Sequence, residues 1–511
     1  MDPQASIPLP ESTGPDRAAF SARARAGTGW VVAGFGIGQA LRLAANIALA
    51  ALLFEEAFAL MAIVAAVMQG LSMFSDLGLQ PSVVQNRRGD EPDFLNTAWT
   101  LQVIRGAVLC LTAALLAWPL ATLYGANDPM ALELRWLIPL VALTALIDGV
   151  QSSRMLSAAR QMQLGTVTRL ELMVQMCNAI VMVGLAWLTR SVYALAIAAV
   201  LAAGLRTFLS YWMLPKRAHR LMLDPASVRE IFSFGKWIFL STLLSFLALQ
   251  IDRLVFAGLF PLAEVGVYSI AASLALMVSA LIGTLQTKVI FPWYARMLDE
   301  GVGLEEAFRR TRAPVLVVST YMATLLIVGA TSFFELAYDH RYAQAGVFLP
   351  ILAVGVWFGC LENMYGAAFL ATGHSRWVAV GGAVKLLCFA SLLVPLMVWD
   401  WGLTGAAVVV AACEMVRAMV NQYLGRQLGL RNLRIESAML FMLLLTSGLG
   451  LLVMEHVSFV AEQHPSIRLL ILGSLVTLLF SPVLVRVGLP ILRYRSGGNE
   501  APPASLSTPH P

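Results

Sequence analysis

Charged residues are scarce in this chain: Asp, Glu, Lys and Arg make up 13% of its 511 residues, about half the share in soluble domains. The shortage is uneven, because the charges gather in short clusters between apolar runs of about 18 to 25 residues. An α-helix needs that length to cross about 30 Å of hydrocarbon. A membrane β-barrel would instead show alternating segments of about ten residues, which are not seen. The sequence therefore predicts an all-α integral membrane protein with about 14 transmembrane helices.

Metal-ligand and disulfide patterns are also missing. The five cysteines all fall inside predicted helices and form no CxxC pair, and the six histidines are scattered without ligand spacing. Small buried thiols are the simpler interpretation. We therefore expect no metal, no cofactor and no catalytic residues, and we expect the protein not to be an enzyme.

A soluble domain is missing as well, because no connection is long enough to fold on its own. The net charge of +5 therefore does not indicate a nucleic-acid partner, which would need a basic soluble face. Lys and Arg instead gather on alternate connections, and the positive-inside rule then predicts cytoplasmic N- and C-termini in a bacterial inner membrane. Membrane lipids are therefore expected partners.

The predicted organisation is two six-helix lobes in a parallel pseudo-repeat, followed by two extra helices. The repeat is a weak similarity of Trp30–Val84 to Trp237–Ile290. The predicted regions are a disordered cytoplasmic tail (1–28), an N-lobe (29–214), a cytoplasmic amphipathic linker (215–231), a C-lobe (232–424), helices thirteen and fourteen (435–490) and a second disordered tail (496–511).

Three local predictions can be compared with the structure. The two longest connections, Lys216–Glu230 and Trp293–Arg312, are predicted to form interfacial amphipathic helices. Helix nine is predicted at Ala313–Ala337, which leaves Arg312 on a cytoplasmic connection. A G-x-G-x-G run at Gly34–Gly38 follows no strand, so it favours close helix packing or a bend rather than a nucleotide loop.

Two stretches resemble a known family. The segment FSDLGLQPSVVQNRRGDEPDFLNTAWTLQVIRG (Phe74–Gly106) resembles the region from helix two to helix three of Wzx-like polysaccharide repeat-unit flippases. The segment FGKWIFLSTLLSFLALQIDRLVFAGL (Phe234–Leu259) is similar to the same family. This is the polysaccharide transporter family of the multidrug/oligosaccharidyl-lipid/polysaccharide flippase superfamily.

The resemblance implies two lobes around a central cavity and an alternating-access flippase. Its substrate would be an undecaprenyl-diphosphate-linked oligosaccharide of exopolysaccharide or O-antigen, and a polysaccharide polymerase and chain-length machinery would be possible partners. Two alternatives stay open within the superfamily: a cation-coupled exporter of small amphiphiles and a peptidoglycan-precursor flippase. A membrane glycan polymerase or ligase is disfavoured, because such enzymes generally need an extended periplasmic loop.

Charges inside predicted helices are the candidate site residues, since a charge at the bilayer centre is costly and usually faces a cavity or a partner. Arg42 lies deep in helix one, with Asn46 one turn away on the same face. Its guanidinium could bind the diphosphate or form a structural ion pair. In helix seven, Asp252 and Arg253 point about 100° apart and so need separate partners, although Arg253 could also snorkel to the interface.

The remaining candidates lie in other helices. Lys385 and Arg417 are predicted cavity cations, although Arg417 could instead pair with Glu414 three residues earlier on the same helical face. Asp148, Glu362 and Glu414 are the candidates for ion or proton coupling, because desolvated carboxylates can bind protons. A helix-stabilising role is the alternative for each of the three.

Overall fold

The structure, a computed structural model, describes residues 34–75, 83, 91–155, 164–214, 220–225, 227–228, 246–286, 290, 294, 303–430 and 433–496. The predicted tail at 1–28, nearly all of the tail at 496–511 and more than half of the linker at 215–231 lie outside the described residues. The two segments that carry the family resemblance and the two that form the weak repeat are described in part.

Fourteen principal helices lie in the described part of the chain. The first seven are α1 (Gly34–Leu52), α2 (Glu55–Phe74), α3 (Pro92–Gly125), α4 (Leu134–Gly149), α5 (Leu164–Thr189), α6 (Tyr193–Met213) and α7 (246–259). The others are α8 (Leu262–Leu285), α9 (Leu304–Ala337), α10 (Ala345–Ala371), α11 (Ser375–Val398), α12 (Gly402–Gln427), α13 (Leu433–His456) and α14 (Pro465–Ser496). Short helical turns at Pro129–Glu133, His340–Tyr342 and Ser458–Ala461 connect some of them.

The helices fall into two compact units, residues Met1–Ile270 and Ala271–Pro511. In unit 1, α4 packs along α3 and α6, and α5 packs along α6. In unit 2, α10 and α11 both pack along α12, while α9 packs against α10, α13 and α14. This division falls inside α8, whereas the sequence analysis placed the lobe boundary in the linker at 215–231, so the boundaries of the lobes stay a prediction.

Length and surface chemistry suit these helices to a bilayer. Thirteen helices in the described residues are long and apolar enough to cross a membrane, and α7 is described only from residue 246. Large apolar side chains point outward, with Trp118, Trp212 and Leu470 exposed to 69%, 72% and 71%. Such a surface is unfavourable in water but suits contact with lipid tails. The all-α, multi-pass membrane fold is confirmed.

Two local predictions are wrong. Helix α9 begins nine residues earlier than expected, after extended Gly303 and with Glu305 and Glu306 in its first turn, where carboxylates favour the positive helix end. Arg312 therefore lies inside α9, where it is fully buried rather than exposed on a connection. In the predicted linker helix, residues 220–224 are not helical, whereas residues 225, 227 and 228 are, so only the first part of that prediction is wrong.

The glycine run in α1 is used for packing, as predicted. A Cβ atom on Gly34 would collide with Thr168, and one on Gly38 would collide with Gln175, both on α5. Gly36 meets nothing within 4 Å. Glycines four residues apart thus let α1 approach α5 closely, as small residues do between membrane helices.

Candidate functional site

A buried chain of four alternating charges crosses the middle of unit 2. Lys385 Nζ on α11 lies 2.6 Å from Glu414 Oε1 on α12. Arg417, one turn further along α12, contacts Glu414 Oε2 at 3.5 Å through Nη1 and Glu362 Oε2 on α10 at 2.6 Å through Nη2. We call Lys385, Glu414, Arg417 and Glu362 the ion chain.

Helix spacing and close packing bring these four side chains together. Glu414 lies at the midpoint of the 26-residue α12, and the spacing of three residues places Arg417 on the same face. Helix α10 can approach because a Cβ atom on Gly355 would already stand 2.9 Å from the Cα of Ala411 on α12. That proximity lets Glu362, two turns further along α10, reach the guanidinium of Arg417.

The ion chain has no net charge and is largely buried. Its side chains are only 6% to 15% exposed. Two cations and two carboxylates alternate, so each charge has an opposite charge within 4 Å. A buried charge is tolerable when paired in this way, and the loss of one partner leaves an uncompensated charge. The ion chain therefore holds α10, α11 and α12 together.

A second buried ion pair, which the sequence analysis missed, lies between α9 and α13. Arg312 pairs with Glu436, and its Nη2 donates to the hydroxyl of Tyr365 at 3.0 Å. The hydroxyl of Tyr365 donates to Glu436 Oε1 at 2.9 Å, and Gln422 also donates to Glu436. The guanidinium lies 4.8 Å from the ring centre of Phe308 and 5.0 Å from that of Tyr365. We call Arg312, Glu436, Tyr365 and Gln422 the Arg312 cluster.

Next to the Arg312 cluster lies a cavity of about 160 Å³. It is bounded by α10, α12 and α13, and mainly apolar side chains such as Trp357 and Leu440 line it, with Gln422 and Glu436 at one side. A further polar residue, Asn421, is fully buried one turn beyond Arg417, and neither the oxygen nor the nitrogen of its amide has a hydrogen-bond partner among the described residues. Unit 2 thus keeps several polar groups in its interior.

Arg42 in unit 1 differs from the cations of the ion chain. It is exposed on α1, and within the part of the chain that the structure describes it forms no hydrogen bond or ion pair. Asn46, one turn away, is half-buried and likewise has no hydrogen-bond partner among the described residues. The guanidinium of Arg42 therefore keeps all of its donors available for an anion.

Asp252 and Arg253 on α7 have different partners, as their helical spacing predicts. Asp252 Oδ2 accepts a hydrogen bond of 2.8 Å from the hydroxyl of Tyr268 on α8. Arg253 makes a long contact of 3.5 Å to the side-chain oxygen of Gln250, one turn earlier, and Gln250 in turn donates to Gln69 on α2. Among the described residues, no carboxylate lies within ion-pair distance of Arg253.

Asp148, the third carboxylate predicted for coupling, lies near the end of α4 and pairs loosely with Arg206 on α6 at 3.7 Å. Its other oxygen, Oδ1, is buried and has no hydrogen-bond partner among the residues that the structure describes. Glu362 and Glu414, by contrast, each face a cation of the ion chain.

The structure thus divides the predicted site residues into two groups. Lys385, Arg417, Glu362 and Glu414 come together in unit 2, where they neutralise one another. The other candidates lie in unit 1, on three helices: Arg42 and Asn46 on α1, Asp148 on α4, and Asp252 and Arg253 on α7. The missed residues, Arg312 and Glu436, lie near predicted helix ends, where charges usually face water. Their opposite signs were the only signal available in the sequence.

Sequence comparisons match this chain to proteins of polysaccharide biosynthesis. A family described as "Polysaccharide biosynthesis protein" matches residues 48–346. The teichuronic acid biosynthesis protein TuaB of Bacillus subtilis (strain 168) is 21% identical over 404 residues, which are 77% of this chain and 81% of TuaB. The lipopolysaccharide biosynthesis protein WzxC of Escherichia coli (strain K12) is 22% identical over 332 residues, or 63% of this chain and 65% of WzxC.

Solved structures share the fold. The lipid II flippase MurJ in an inward closed conformation superimposes with a TM-score of 0.65 at 12% identity, covering 91% of this chain and 99% of MurJ. An inward-facing multidrug resistance transporter of the MATE family has a TM-score of 0.60 at 17% identity, covering 77% of this chain and 94% of its own. These structures show the same fold, and the resemblance to polysaccharide transporters, predicted from two sequence segments, is confirmed by the family match and the relatives.

Proposed function

The chain belongs to the family of polysaccharide biosynthesis proteins, and on that basis we propose that it is a flippase for an undecaprenyl-diphosphate-linked oligosaccharide of exopolysaccharide or O-antigen. The carrier would move this substrate from the cytoplasmic to the periplasmic leaflet of the inner membrane by alternating access. A flippase makes and breaks no covalent bond, which agrees with the expectation that the chain is not an enzyme. A membrane polymerase and its chain-length machinery would be the recipients of the translocated unit.

The observation that best supports the proposal is the available charge of Arg42. A diphosphate needs a cation with several donors, and a guanidinium can meet two phosphate oxygens at once. Arg42 has no carboxylate partner among the described residues and is exposed on its helix. Arg253, with only a long contact to Gln250, is the second candidate for the same role.

Lys385 and Arg417, the other cations predicted to bind substrate, are already neutralised by Glu414 and Glu362. We therefore assign anion recognition to Arg42 and Arg253 and a helix-joining role to the ion chain. For coupling to a proton gradient, Asp148 is the best placed of the three predicted carboxylates. In the described part of the chain its Oδ1 has no hydrogen-bond partner, so it could take a proton without breaking a close ion pair.

Arg42→Ala tests the substrate contact. We expect surface glycan to fall roughly tenfold or more, because several charge-assisted hydrogen bonds to the diphosphate are lost. Arg42→Lys should keep part of the activity, since it retains the charge but not the paired donors. The measurement is surface glycan per cell, normalised to the amount of membrane-inserted protein.

Arg376→Ala is the matched control, because Arg376 is an exposed arginine at the start of α11, and it should leave the glycan unchanged. Normal glycan in both Arg42→Ala and Arg253→Ala would contradict the assignment of the site. A protein that confers dye efflux without affecting any glycan would be an exporter of amphiphiles. Loss of viability with arrested cell-wall synthesis after its depletion would identify a peptidoglycan-precursor flippase instead.

The proposed orientation gives a further prediction. A fluorescent protein fused to the C-terminus should fluoresce, because the C-terminus is expected to be cytoplasmic. Alkaline phosphatase fused within the connection between α9 and α10, at His340–Tyr342, should be active, because that connection is expected to be periplasmic. Active phosphatase at the C-terminus would contradict the orientation.

A further inference from the structure

Residues 220–224, in the connection between α6 and α7, are not helical and lie against the beginning of α3. The backbone N–H of Met222 donates to Thr100 Oγ1 at 3.0 Å, and the backbone N–H of Asp224 donates to Thr97 Oγ1 at 3.1 Å. These are every-second amides of the segment, and in an extended chain such amides point the same way. We call residues 220–224 the strap.

A third contact continues the same pattern. The backbone N–H of Arg220 lies 3.4 Å from the side-chain oxygen of Asn96. Thr100 is arranged to act as an acceptor, because its hydroxyl donates its own proton to the carbonyl of Asn96 at 2.8 Å and so leaves a lone pair for the strap. Asn96, Thr97 and Thr100 are at most 8% exposed, and buried polar groups of this kind need partners.

The strap ends in a turn that fixes its last residue. Asp224 Oδ2 accepts from both the backbone N–H of Ser227, at 3.0 Å, and its hydroxyl, at 2.6 Å. The carbonyl of Asp224 accepts from the N–H of Val228 at 2.9 Å. This is the arrangement of a helix N-cap, so the strap is tied to α3 along its length and closed by a cap at its end.

Backbone hydrogen bonds, rather than apolar packing, hold the strap. Leu221 and Leu223 are exposed to 74% and 51%, so their side chains contribute little burial. All three acceptors lie in the segment Phe74–Gly106 that carries the family resemblance, and neither the ion chain nor the cations of unit 1 use them. The amides of the strap therefore supply the hydrogen-bond partners that these buried polar residues need.

We propose that Asn96, Thr97 and Thr100 are positioning residues that anchor the connection between the two predicted lobes onto α3, and that transport requires this anchor. An anchored strap ties part of the connection between α6 and α7 to the beginning of α3. The requirement for transport rests on the proposed flippase function, whereas the anchoring itself does not.

Hydrogen–deuterium exchange of the full-length protein in lipid nanodiscs tests the anchor. In the unsubstituted protein the amides of Met222 and Asp224 should be protected, and those of Leu221 and Leu223 should exchange faster. Thr97→Val with Thr100→Val keeps the side-chain shape but removes the acceptors, so exchange at the two protected amides should accelerate about tenfold. Thr122→Val on α3 is the matched control, because among the described residues its hydroxyl bonds only to Pro119 of its own helix.

A second pair of variants tests the same contact from the strap. Met222→Pro removes the N–H that donates to Thr100. Leu221→Pro removes an N–H that donates to no described residue. Met222→Pro and the double threonine variant should each lose most of the surface glycan at normal protein abundance. Leu221→Pro and Thr122→Val should retain it.

The outcomes separate the two parts of the proposal. Unprotected amides at Met222 and Asp224, or unchanged exchange in the double threonine variant, would overturn the anchor. Faster exchange at these two amides together with unchanged surface glycan would overturn the role of the anchor in transport. If the unsubstituted protein supports no glycan at all, the proposed function fails, and the exchange pattern still decides whether the anchor exists.

Discussion

Replacing Arg417 with alanine is expected to lower the free energy of unfolding by about 3 to 5 kcal/mol, the usual cost of breaking a buried ion pair by removing one partner. Arg417 is the only residue of the ion chain that contacts both carboxylates. Without it, Glu362 keeps no cation within ion-pair distance among the described residues, and Glu414 keeps only Lys385. The measurement is the unfolding midpoint of the purified protein in detergent.

A double variant that restores the balance of charge is the control for this prediction. Arg417→Ala combined with Glu362→Gln leaves the neutral pair of Lys385 and Glu414, so the double variant should be more stable than Arg417→Ala alone. Arg426→Ala, in the exposed last turn of the same helix, should change stability by less than about 0.5 kcal/mol. A double variant less stable than the single one would show that charge balance does not govern this site.

Arg312→Met is expected to have an effect of similar size, about 3 to 5 kcal/mol, because it leaves Glu436 as a buried carboxylate without its cation. Arg312 is fully buried and Glu436 is 5% exposed. Since the pair joins α9 to α13, we also expect α13 to become sensitive to proteolysis. Thermal unfolding and limited proteolysis in detergent measure the two effects.

The companion variants distinguish loss of charge from loss of packing. Arg312→Met with Glu436→Leu replaces the buried pair by apolar side chains and should recover much of the stability, as such replacements often do. Arg309 lies one turn before Arg312 in α9 and is an exposed partner of Glu306. Arg309→Met should therefore lower the free energy of unfolding by less than about 1 kcal/mol. Equal losses in the single and double variants would mean that the charge of Glu436 is not the source of the effect.

The predicted site cations of the two units differ in their partners. In unit 2, the ion chain and the Arg312 cluster match buried cations with buried carboxylates. In unit 1, Arg42 has no carboxylate partner among the described residues and Arg253 has only an amide contact. Matched charges stabilise a fold, whereas an unmatched cation is available to a substrate. The proposed assignment of anion recognition to unit 1 follows from this contrast.

Spacing along one helix was sufficient to predict part of the ion chain. Glu414 and Arg417 are three residues apart, and the geometry of an α-helix puts them on the same face whatever surrounds them. Their partners Lys385 and Glu362 come from α11 and α10. No rule of spacing relates residues on different helices, so these contacts depend on how the helices pack.

Arg312 and the strap show why other predictions were wrong. Arg312 follows Arg309 and Arg310, and such a cluster normally marks a cytoplasmic connection. The burial of Arg312 depends on Glu436, which is distant in the sequence and meets it only after α13 has packed on α9. Likewise, the segment 220–224 was predicted to lie in an amphipathic helix, but its amides bond to buried acceptors on α3 instead of forming helical turns.

The sequence by itself determined that this is an all-α membrane protein, because the scarcity of charge and the length of the apolar runs admit few other structures in a bilayer. It also singled out the charges that lie inside predicted helices, since a charge within the membrane is costly and rare. Only the tertiary structure decided which of these charges are neutralised and which stay available. That outcome depends on distances of a few ångströms between helices far apart in the chain, and the pattern of residues along one helix does not contain them.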